Sequence, residues 1–132
     1  MTNWLQQLLA KHGAVAGTLH VLRGEQLEIS AAVNIPPKVQ EITAKIPRGK
    51  GMAGLAWSED RPIQTCNLKD DASGAVKPGA KAVDARAAVA LPIHGPNGVR
   101  AVVGLAWVEE RELDDDEVAG IARDAELLPA TQ

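Results

Sequence analysis

The chain has 132 residues, of which 45% are apolar and 23% are charged, a composition that is typical of a folded domain and excludes general disorder. The single cysteine excludes an internal disulfide and a cysteine-rich zinc site. The net charge is −3, and the local excess of three positive charges over residues 38–86 falls short of a nucleic-acid-binding face. No apolar run approaches the roughly 20 residues of a membrane-spanning helix. Residues 1–11 lack the basic start, apolar stretch and cleavage site of an export signal, so a cytoplasmic protein is expected.

The N-terminal quarter is predicted to form a helix followed by a hairpin. Apolar residues at helical spacing cover residues 3–12, and Gly13 is a typical C-terminal stop. Alternating apolar residues then predict strands over residues 14–23 and 27–33, paired as a hairpin with one buried face. His20 is out of phase with its apolar neighbours, so we expect it at the surface or at a sheet edge.

The middle of the chain contains short elements separated by loops. A proline in the first turn and two apolar residues predict a short helix over residues 37–45. A glycine-rich loop over residues 47–54 leads into a helical stretch at residues 55–58, and residues 61–67 are predicted to form a strand. Residues 68–81 form the longest irregular segment, and long ordered loops are functional more often than other connections.

The C-terminal part is predicted to form a second hairpin and a final helix. Residues 87–94 and 99–108 alternate apolar positions, and the pair Asn97-Gly98 predicts a tight turn between them. The second of these strands is apolar on both faces, which is typical of the centre of a sheet. Asp114, with an acidic residue three positions later, resembles a capping box, so the last helix is expected to begin there.

The order of these elements predicts an α+β fold built on an antiparallel β-sheet. We expect a single domain over residues 1–132, with its core at about residues 3–128. The N- and C-terminal helices are expected on one face of the sheet. The short helices, the glycine-rich loop and the long loop are expected on the other face.

This order resembles that of the GAF domain, a small-molecule-sensing module that is widespread in bacterial signalling and related in fold to the PAS domain. The resemblance covers roughly residues 3–128. Its motifs are Ile46-Pro47-Arg48-Gly49-Lys50-Gly51-Met52-Ala53-Gly54-Leu55-Ala56-Trp57, Arg61-Pro62-Ile63-Gln64, Asn67-Leu68, Asp71, Ala90-Leu91-Pro92-Ile93 and Val102-Val103-Gly104-Leu105-Ala106. It implies a GAF-like, PAS-related antiparallel sheet.

The resemblance implies a ligand site between the sheet and residues 51–86. The candidate ligand-binding residues are Trp57, Cys66, Asp70, Ser73, Lys81, Asp84 and Arg86. Arg86 would hold a carboxylate through two parallel hydrogen bonds, or else form a surface ion pair. A domain of this kind binds a small molecule without transforming it and without a cofactor. It signals by a population shift, in which the loop at residues 68–81 reorders and the terminal helices report the change.

The resemblance also implies a homodimer formed through the terminal helices. The apolar surface expected there consists of Trp4, Leu5, Leu8, Val118, Ile121 and Leu128. A signalling protein is a further expected partner, whereas nucleic acid and membranes are not expected. One alternative is a pure interaction module whose pocket is filled by alanine and valine side chains. The other is a degenerate form of the free methionine-(R)-sulfoxide reductases, which are enzymes of the same family.

The cysteine content argues against the enzyme alternative. The reductases depend on several cysteines, and the resemblance places one of them at Ala53 and another within residues 81–84, where this chain has none. A thiolate that attacks a sulfoxide leaves an oxidised sulfur that a second thiol must resolve. With Cys66 alone the cycle cannot close within the chain. Cys66 is then a small buried residue, or a redox sensor whose pKa is lowered by Lys69.

The glycine-rich loop has a structural and a chemical interpretation. Gly49, Gly51 and Gly54 allow a tight loop that begins a helix against the sheet. Lys50 suggests a phosphate cradle instead, but a P-loop also needs four spacers before its Gly-Lys pair and a Ser or Thr after it. The three histidines lie on different elements without metal-ligand spacing. The sequence therefore predicts no metal site and no catalytic residue.

Overall fold

The computed structural model describes residues 2–65, 87–109 and 112–128. The helices of this part of the chain are α1 (Thr2–His12), α2 (Pro37–Ile42), α3 (Gly51–Glu59) and α4 (Asp115–Ala125). The strands are β1 (Ala16–Arg23), β2 (Gln26–Val33), β3 (Lys45–Pro47), β4 (Ile63–Thr65), β5 (Ala87–Gly95) and β6 (Gly98–Trp107). The chain order agrees with the order predicted from the sequence, apart from the short strand β3.

The strands form one antiparallel sheet in the order β3-β2-β1-β6-β5-β4. β6 lies between β1 and β5, which confirms that the doubly apolar strand is central. β1 is also an interior strand, because it pairs with β2 on one side and with β6 on the other. The antiparallel α+β prediction is confirmed.

One face of the sheet packs against the two terminal helices. Leu5 of α1 and Ile121 of α4 lie in the same apolar cluster as Leu19 of β1 and Leu105 of β6. The indole Nε1 of Trp107 donates a hydrogen bond to the backbone carbonyl of His12 at 3.1 Å and so joins the end of β6 to the end of α1. Val39 of α2 and Ala56 of α3 belong to separate apolar clusters with other sheet residues, as expected for helices on the opposite face.

The apolar side chains that were expected to face a dimer partner lie inside the chain's own core. Leu5, Leu8, Ile121 and Leu128 are at most 6% exposed, and Trp4 and Val118 pack against the same cluster. The residues proposed for that surface were therefore wrong, because the terminal helices turn their apolar sides toward the sheet. The homodimer itself stays a prediction and requires another surface.

Three local differences from the sequence prediction have simple causes. β3 was missed because its three residues show no alternating pattern of their own, whereas the equally short β4 falls inside the longer strand predicted at residues 61–67. α3 begins at Gly51, inside the glycine-rich loop and earlier than predicted. In the β5–β6 turn only Gly98 has a positive φ, of 108°, so Asn97 does not use the left-handed conformation that motivated the turn prediction. The predicted N-cap of α4 is confirmed, since Asp114 Oδ1 accepts a hydrogen bond from the Glu117 backbone N–H at 2.8 Å.

Candidate functional site

Small residues lie at the centre of the sheet, on the face that packs against α2 and α3. The strand register places them in two adjacent rows across β1, β6 and β5, namely Ala16, Ala106 and Ala88, then Thr18, Gly104 and Ala90. No side chain in these rows is larger than threonine. Since side chains of this size reach only a short distance from the backbone, space remains between the sheet and the elements that cover it.

A cavity of about 140 Å³ occupies this space. Its floor includes Thr18, Gly104 and Ala106, while its other walls come from Val39 of α2, Ile46 of β3 and the first residues of α3. The floor and most of the walls are apolar, and Lys50 is the one formally charged residue among the described lining residues. An enclosed, dry cavity of about 150 Å³ in another protein holds one benzene molecule, so this partly open cavity has room for at least about one six-membered ring.

His20 forms part of the cavity wall, in the row next to the small residues. Its side chain is buried, with 2% of the residue exposed. The Nε2 atom lies 2.7 Å from the backbone carbonyl oxygen of Thr43. Because a carbonyl oxygen only accepts hydrogen bonds, Nε2 carries the proton and donates it. Burial lowers the pKa of His20, an effect that the Thr43 hydrogen bond opposes but does not cancel.

The other ring nitrogen of His20 is a buried acceptor without a partner. Once Nε2 holds the proton of the neutral ring, Nδ1 has a free lone pair. Among the described residues no group forms a hydrogen bond with Nδ1. A buried polar atom that lacks a partner costs about 1–3 kcal/mol, so Nδ1 is an unsatisfied polar atom within a residue that lines the cavity.

The prediction that His20 lies at the surface or at an edge was wrong. β1 is an interior strand, and α2 covers the face that was expected to be solvated, so both faces of β1 are buried at this point. The sequence did contain a signal, because Thr18 and His20 share the face opposite to Leu19. That signal becomes informative only when the position of β1 inside the sheet is known.

The residues predicted from the sequence for the ligand site are placed as follows. Trp57 lies on α3, partly buried against the cluster that contains Leu27 and Ile46, and the Arg48 guanidinium carbon lies 5.5 Å from the centre of its ring. Trp57 is not among the described residues that line the cavity. The other six candidates, Cys66, Asp70, Ser73, Lys81, Asp84 and Arg86, and the loop at residues 68–81 lie outside the described residues. Their roles stay predictions.

His94 connects the two faces of the sheet at the end of β5. Its Nδ1 lies 2.5 Å from a carboxylate oxygen of Glu126, just after α4, and its Nε2 lies 2.5 Å from a carboxylate oxygen of Asp60, at the end of α3. Two carboxylates accept from the two ring nitrogens, so the ring holds both protons. The hydrogen bonds to Glu126 and Asp60 raise the pKa of His94 above its ordinary value.

We expect the stabilising effect of His94 to depend on pH. Because its folded-state pKa is raised, the stabilisation is fully present below about pH 6.5, the ordinary pKa of histidine. It is lost as the pH rises through the raised pKa. His94→Gln should therefore lower the free energy of unfolding by up to about 1 kcal/mol at pH 6, a modest value because the side chain is 43% exposed. The loss of unfolding free energy caused by His94→Gln should be smaller at pH 9.

Urea unfolding of both proteins at pH 6 and pH 9 measures this difference. Glu126→Gln removes one carboxylate partner while it leaves the imidazole in place, and it should reduce the same pH dependence. An equal cost of His94→Gln at both pH values would contradict the assignment of a charged His94.

A second group of ionic contacts joins the two terminal helices. Asp124 of α4 accepts from His12 Nε2 at 2.8 Å, and its Oδ2 lies 3.1 Å from Lys11 Nζ. Desolvation alone raises the pKa of Asp124, but the hydrogen bonds from Lys11 and His12 outweigh it, so the pKa is lowered. The ends of α1 and α4 are thus held together by charge as well as by apolar packing.

Metal-binding clusters and membrane-spanning helices are both absent from the described part of the chain. Across residues 2–65, 87–109 and 112–128, no group of three or more His, Cys, Asp or Glu side chains has an arrangement that would hold a metal ion. None of the helices in those same ranges is long and apolar enough to cross a membrane.

Comparisons with known proteins identify the fold. A family model described as "GAF domain" matches residues 1–125. The type II free methionine-R-sulfoxide reductase of Thermoplasma acidophilum superposes with a TM-score of 0.76 at 16% identity, covering 96% of this chain and 85% of that one. The GAF domain of a phosphoenolpyruvate-protein phosphotransferase from Acinetobacter gives 0.73 at 11% identity, with 92% and 72% covered.

A third solved structure comes from a signalling protein. The GAF domain of a two-component sensor histidine kinase from Bacillus halodurans superposes with a TM-score of 0.71 at 14% identity, covering 96% of this chain and 88% of that one. A search of the curated proteins finds no match to this chain. At these identities the structural likeness shows the fold alone.

Proposed function

Because the chain belongs to the GAF domain family, we propose that it is a sensory or regulatory domain that binds a small molecule without transforming it. The observation that carries the proposal is the cavity of about 140 Å³ over the floor of small residues. Protein interiors are normally packed to the density of organic crystals. A cavity of this size therefore favours a binding site over a packed interaction module.

The connections of the sheet supply a route from the cavity to the terminal helices. Side chains alternate along β1 and β6, so Thr18 and Gly104 face the cavity while their neighbours Leu19 and Leu105 pack against α1 and α4. His94 adds a second connection, from the end of α3 to the residue after α4. A ligand that binds one arrangement of these elements more tightly than another shifts the population toward it.

A partner protein would detect the ligand-induced conformational change at the outer surfaces of the terminal helices. The inner sides of α1 and α4 are committed to the core, so a second copy of the chain or a signalling protein would contact their polar sides. Leu127, which follows α4, is 73% exposed and offers one apolar contact there. We propose that the domain forms a homodimer, and light scattering tests this by measuring the molar mass in solution.

A metabolite panel tests the proposed binding function, with toluene as a reference probe for the cavity. In a titration followed by amide NMR, we expect the largest chemical-shift changes at Thr18, His20 and Gly104, and slower amide exchange in α4. The amide resonance of Gly24 is the control and should not shift. Gly24 lies in the β1–β2 turn, where an added Cβ would meet no atom within 4 Å. A ligand that leaves Thr18 and Gly104 unchanged would show that the cavity is not the binding site.

A second candidate function is the reduction of free methionine-R-sulfoxide. It is favoured by the fold shared with the reductase of Thermoplasma acidophilum. In this chain Ala53, which the resemblance equates with a reductase cysteine, lines the cavity without a thiol. Cys66 is the single cysteine in the sequence. Consumption of methionine-R-sulfoxide with dithiothreitol, abolished by Cys66→Ser, would overturn the non-catalytic proposal.

A further inference from the structure

We propose that α2 is a movable wall of the cavity and that its position depends on pH. The hydrogen bond from the neutral His20 ring to the Thr43 carbonyl oxygen holds α2 against the sheet, and a second proton on the ring releases it. This inference rests on the proposed function, because it assigns a regulation to the same cavity. It depends on the weak attachment of α2, on the hydrogen bond at its C-terminal end and on the burial of the other ring nitrogen of His20.

The segment that contains α2 is short and is fixed to the sheet at both ends. Before α2, Asn34 Nδ2 donates a hydrogen bond to the Val15 carbonyl oxygen at 2.7 Å. After α2, the Ala44 carbonyl oxygen accepts a hydrogen bond from the Ile29 N–H at 2.8 Å. α2 itself has six residues, and helices shorter than about 12–15 residues are marginal without tertiary packing. The position of α2 therefore depends on its contacts with the sheet.

The apolar contact between α2 and the sheet is small. Of the six residues of α2, all of them described, Val39 alone is buried. Val39 belongs to the apolar cluster over one row of the cavity floor, which consists of Ala16, Ala88 and Ala106. Ile42, at the end of α2, is exposed. Segments that bury few apolar contacts open locally while the rest of a protein stays folded, so α2 can move while the sheet stays in place.

His20 supplies the polar contact that holds α2. Its Nε2 donates a hydrogen bond to the Thr43 carbonyl oxygen, at the C-terminal end of α2, over 2.7 Å. The carbonyl groups at the end of a helix lack partners within the helix, and His20 provides one for Thr43. His20, Val39 and Thr43 all line the cavity. The hydrogen bond therefore attaches the movable wall to the sheet at the cavity itself.

A second proton on the His20 ring has no acceptor while α2 is in place. It would lie on Nδ1, which is buried and has no hydrogen-bond partner among the described residues. Burial lowers the pKa of His20, so the closed arrangement keeps the ring neutral near pH 7. When α2 moves away, water reaches the ring and the pKa returns to its ordinary value of about 6.5. Acid therefore favours the open arrangement, because that arrangement binds the second proton.

The charged residues on the surrounding elements do not provide an acceptor for this proton. On β2, Glu28 alternates with Ile29, the residue opposite His20, and so points to the other face of the sheet. On β6, Arg100 donates to the Leu128 carbonyl oxygen after α4. The other charged residues of these elements are exposed, namely Arg23, Lys38, Glu41, Lys45 and Lys50. Lys50 also lines the cavity, but an ammonium group only donates hydrogen bonds.

Amide hydrogen exchange of the unaltered protein tests the proposal. The Thr43 N–H, which donates to the Val39 carbonyl oxygen at 2.9 Å, reports the opening of α2. After correction for the intrinsic exchange rate, its protection should fall by up to about tenfold between pH 7.5 and pH 5.5, a range that spans the ordinary pKa of histidine. The Val103 amide, in the central strand β6, should be more strongly protected at both pH values. Equal protection of the two amides would overturn the proposal, because α2 would then open only with the whole domain.

Two glutamine variants identify the group that binds the proton. His20→Gln removes the titrating ring and retains an N–H donor for the Thr43 carbonyl oxygen, so the protection of Thr43 should no longer depend on pH. His94→Gln is the matched control, because it makes the same change at a ring that contacts Asp60 and Glu126 instead of α2. It should leave the pH dependence of Thr43 in place. A pH dependence that survives His20→Gln would show that another group releases α2.

Toluene separates this inference from the proposed function. A ligand that binds only the closed arrangement should raise the protection of Thr43 by about tenfold at a concentration of ten times its Kd. If toluene shifts the resonances of Thr18 and Gly104 but does not slow the exchange of Thr43, the movable wall is wrong and the binding function stands. If acid releases α2 as expected but toluene changes none of these signals, the proton-dependent release stands and the binding of a ligand of this size is refuted.

Discussion

Replacing Gly54 by alanine should lower the free energy of unfolding by up to about 2 kcal/mol, although alanine is the better helix former. A Cβ atom at this position would lie 2.7 Å from the carbonyl oxygen of Pro47 and 3.2 Å from the backbone of Gly49. These are backbone atoms that cannot rotate away, and forcing extra atoms into a packed site costs about 1–3 kcal/mol. The helix preference of alanine, about 1 kcal/mol, offsets only part of a large clash.

Two backbone hydrogen bonds also stabilise the loop that the added Cβ atom would contact. The Gly49 N–H donates to the Gly54 carbonyl at 3.0 Å, and the Gly54 N–H donates to the Lys50 carbonyl at 3.1 Å. Displacing Pro47 to relieve the clash would break this arrangement and move the first turn of α3, which lines the cavity. We therefore expect Gly54→Ala to weaken toluene binding as well as stability.

Gly120→Ala is the matched control, since it is the same chemical change in a helix. A Cβ atom at Gly120 of α4 would meet no atom within 4 Å, so this variant should gain up to about 1 kcal/mol. Urea unfolding of the two variants measures the difference directly. Equal stability changes for Gly54→Ala and Gly120→Ala would show that the loop does not press against α3.

Long periodic segments made the fold predictable from the sequence. α1, β1, β2, β5, β6 and α4 each extend over at least eight residues, which is enough for a helical or alternating pattern to appear. β3 has three residues, and its place is decided by pairing with β2 rather than by its own pattern. Local periodicity therefore identified the large elements and missed β3.

The site was less predictable because it depends on register. Ala88, Ala90, Gly104 and Ala106 look like ordinary small core residues in the sequence, and nothing local shows that they become adjacent. Pairing of β5 with β6 places Ala88 beside Ala106 and Ala90 beside Gly104. Pairing of β1 with β6 then adds Thr18 to the row of Gly104. The chain has 22 alanines, and the register concentrates several of them under the cavity.

Ala106→Leu should abolish ligand binding while it preserves or raises stability. Leucine adds three carbon atoms to the cavity floor, in the row that Ala106 shares with Ala16 and Ala88. Filling a cavity commonly raises the free energy of unfolding by about 0.5–2 kcal/mol. A ring-sized ligand that needs most of the 140 Å³ then has no room, so we expect the affinity for toluene to fall by at least about 100-fold, or roughly 2.7 kcal/mol.

The opposite signs of these two effects are what make the variant informative. A misfolded protein would lose both binding and stability, whereas a filled cavity loses binding alone, so calorimetric titration and urea unfolding are measured on the same preparation. Ala119→Leu adds the same atoms at an exposed position of α4 and should leave the affinity unchanged. Toluene binding that survives Ala106→Leu would contradict the placement of the ligand over Ala106.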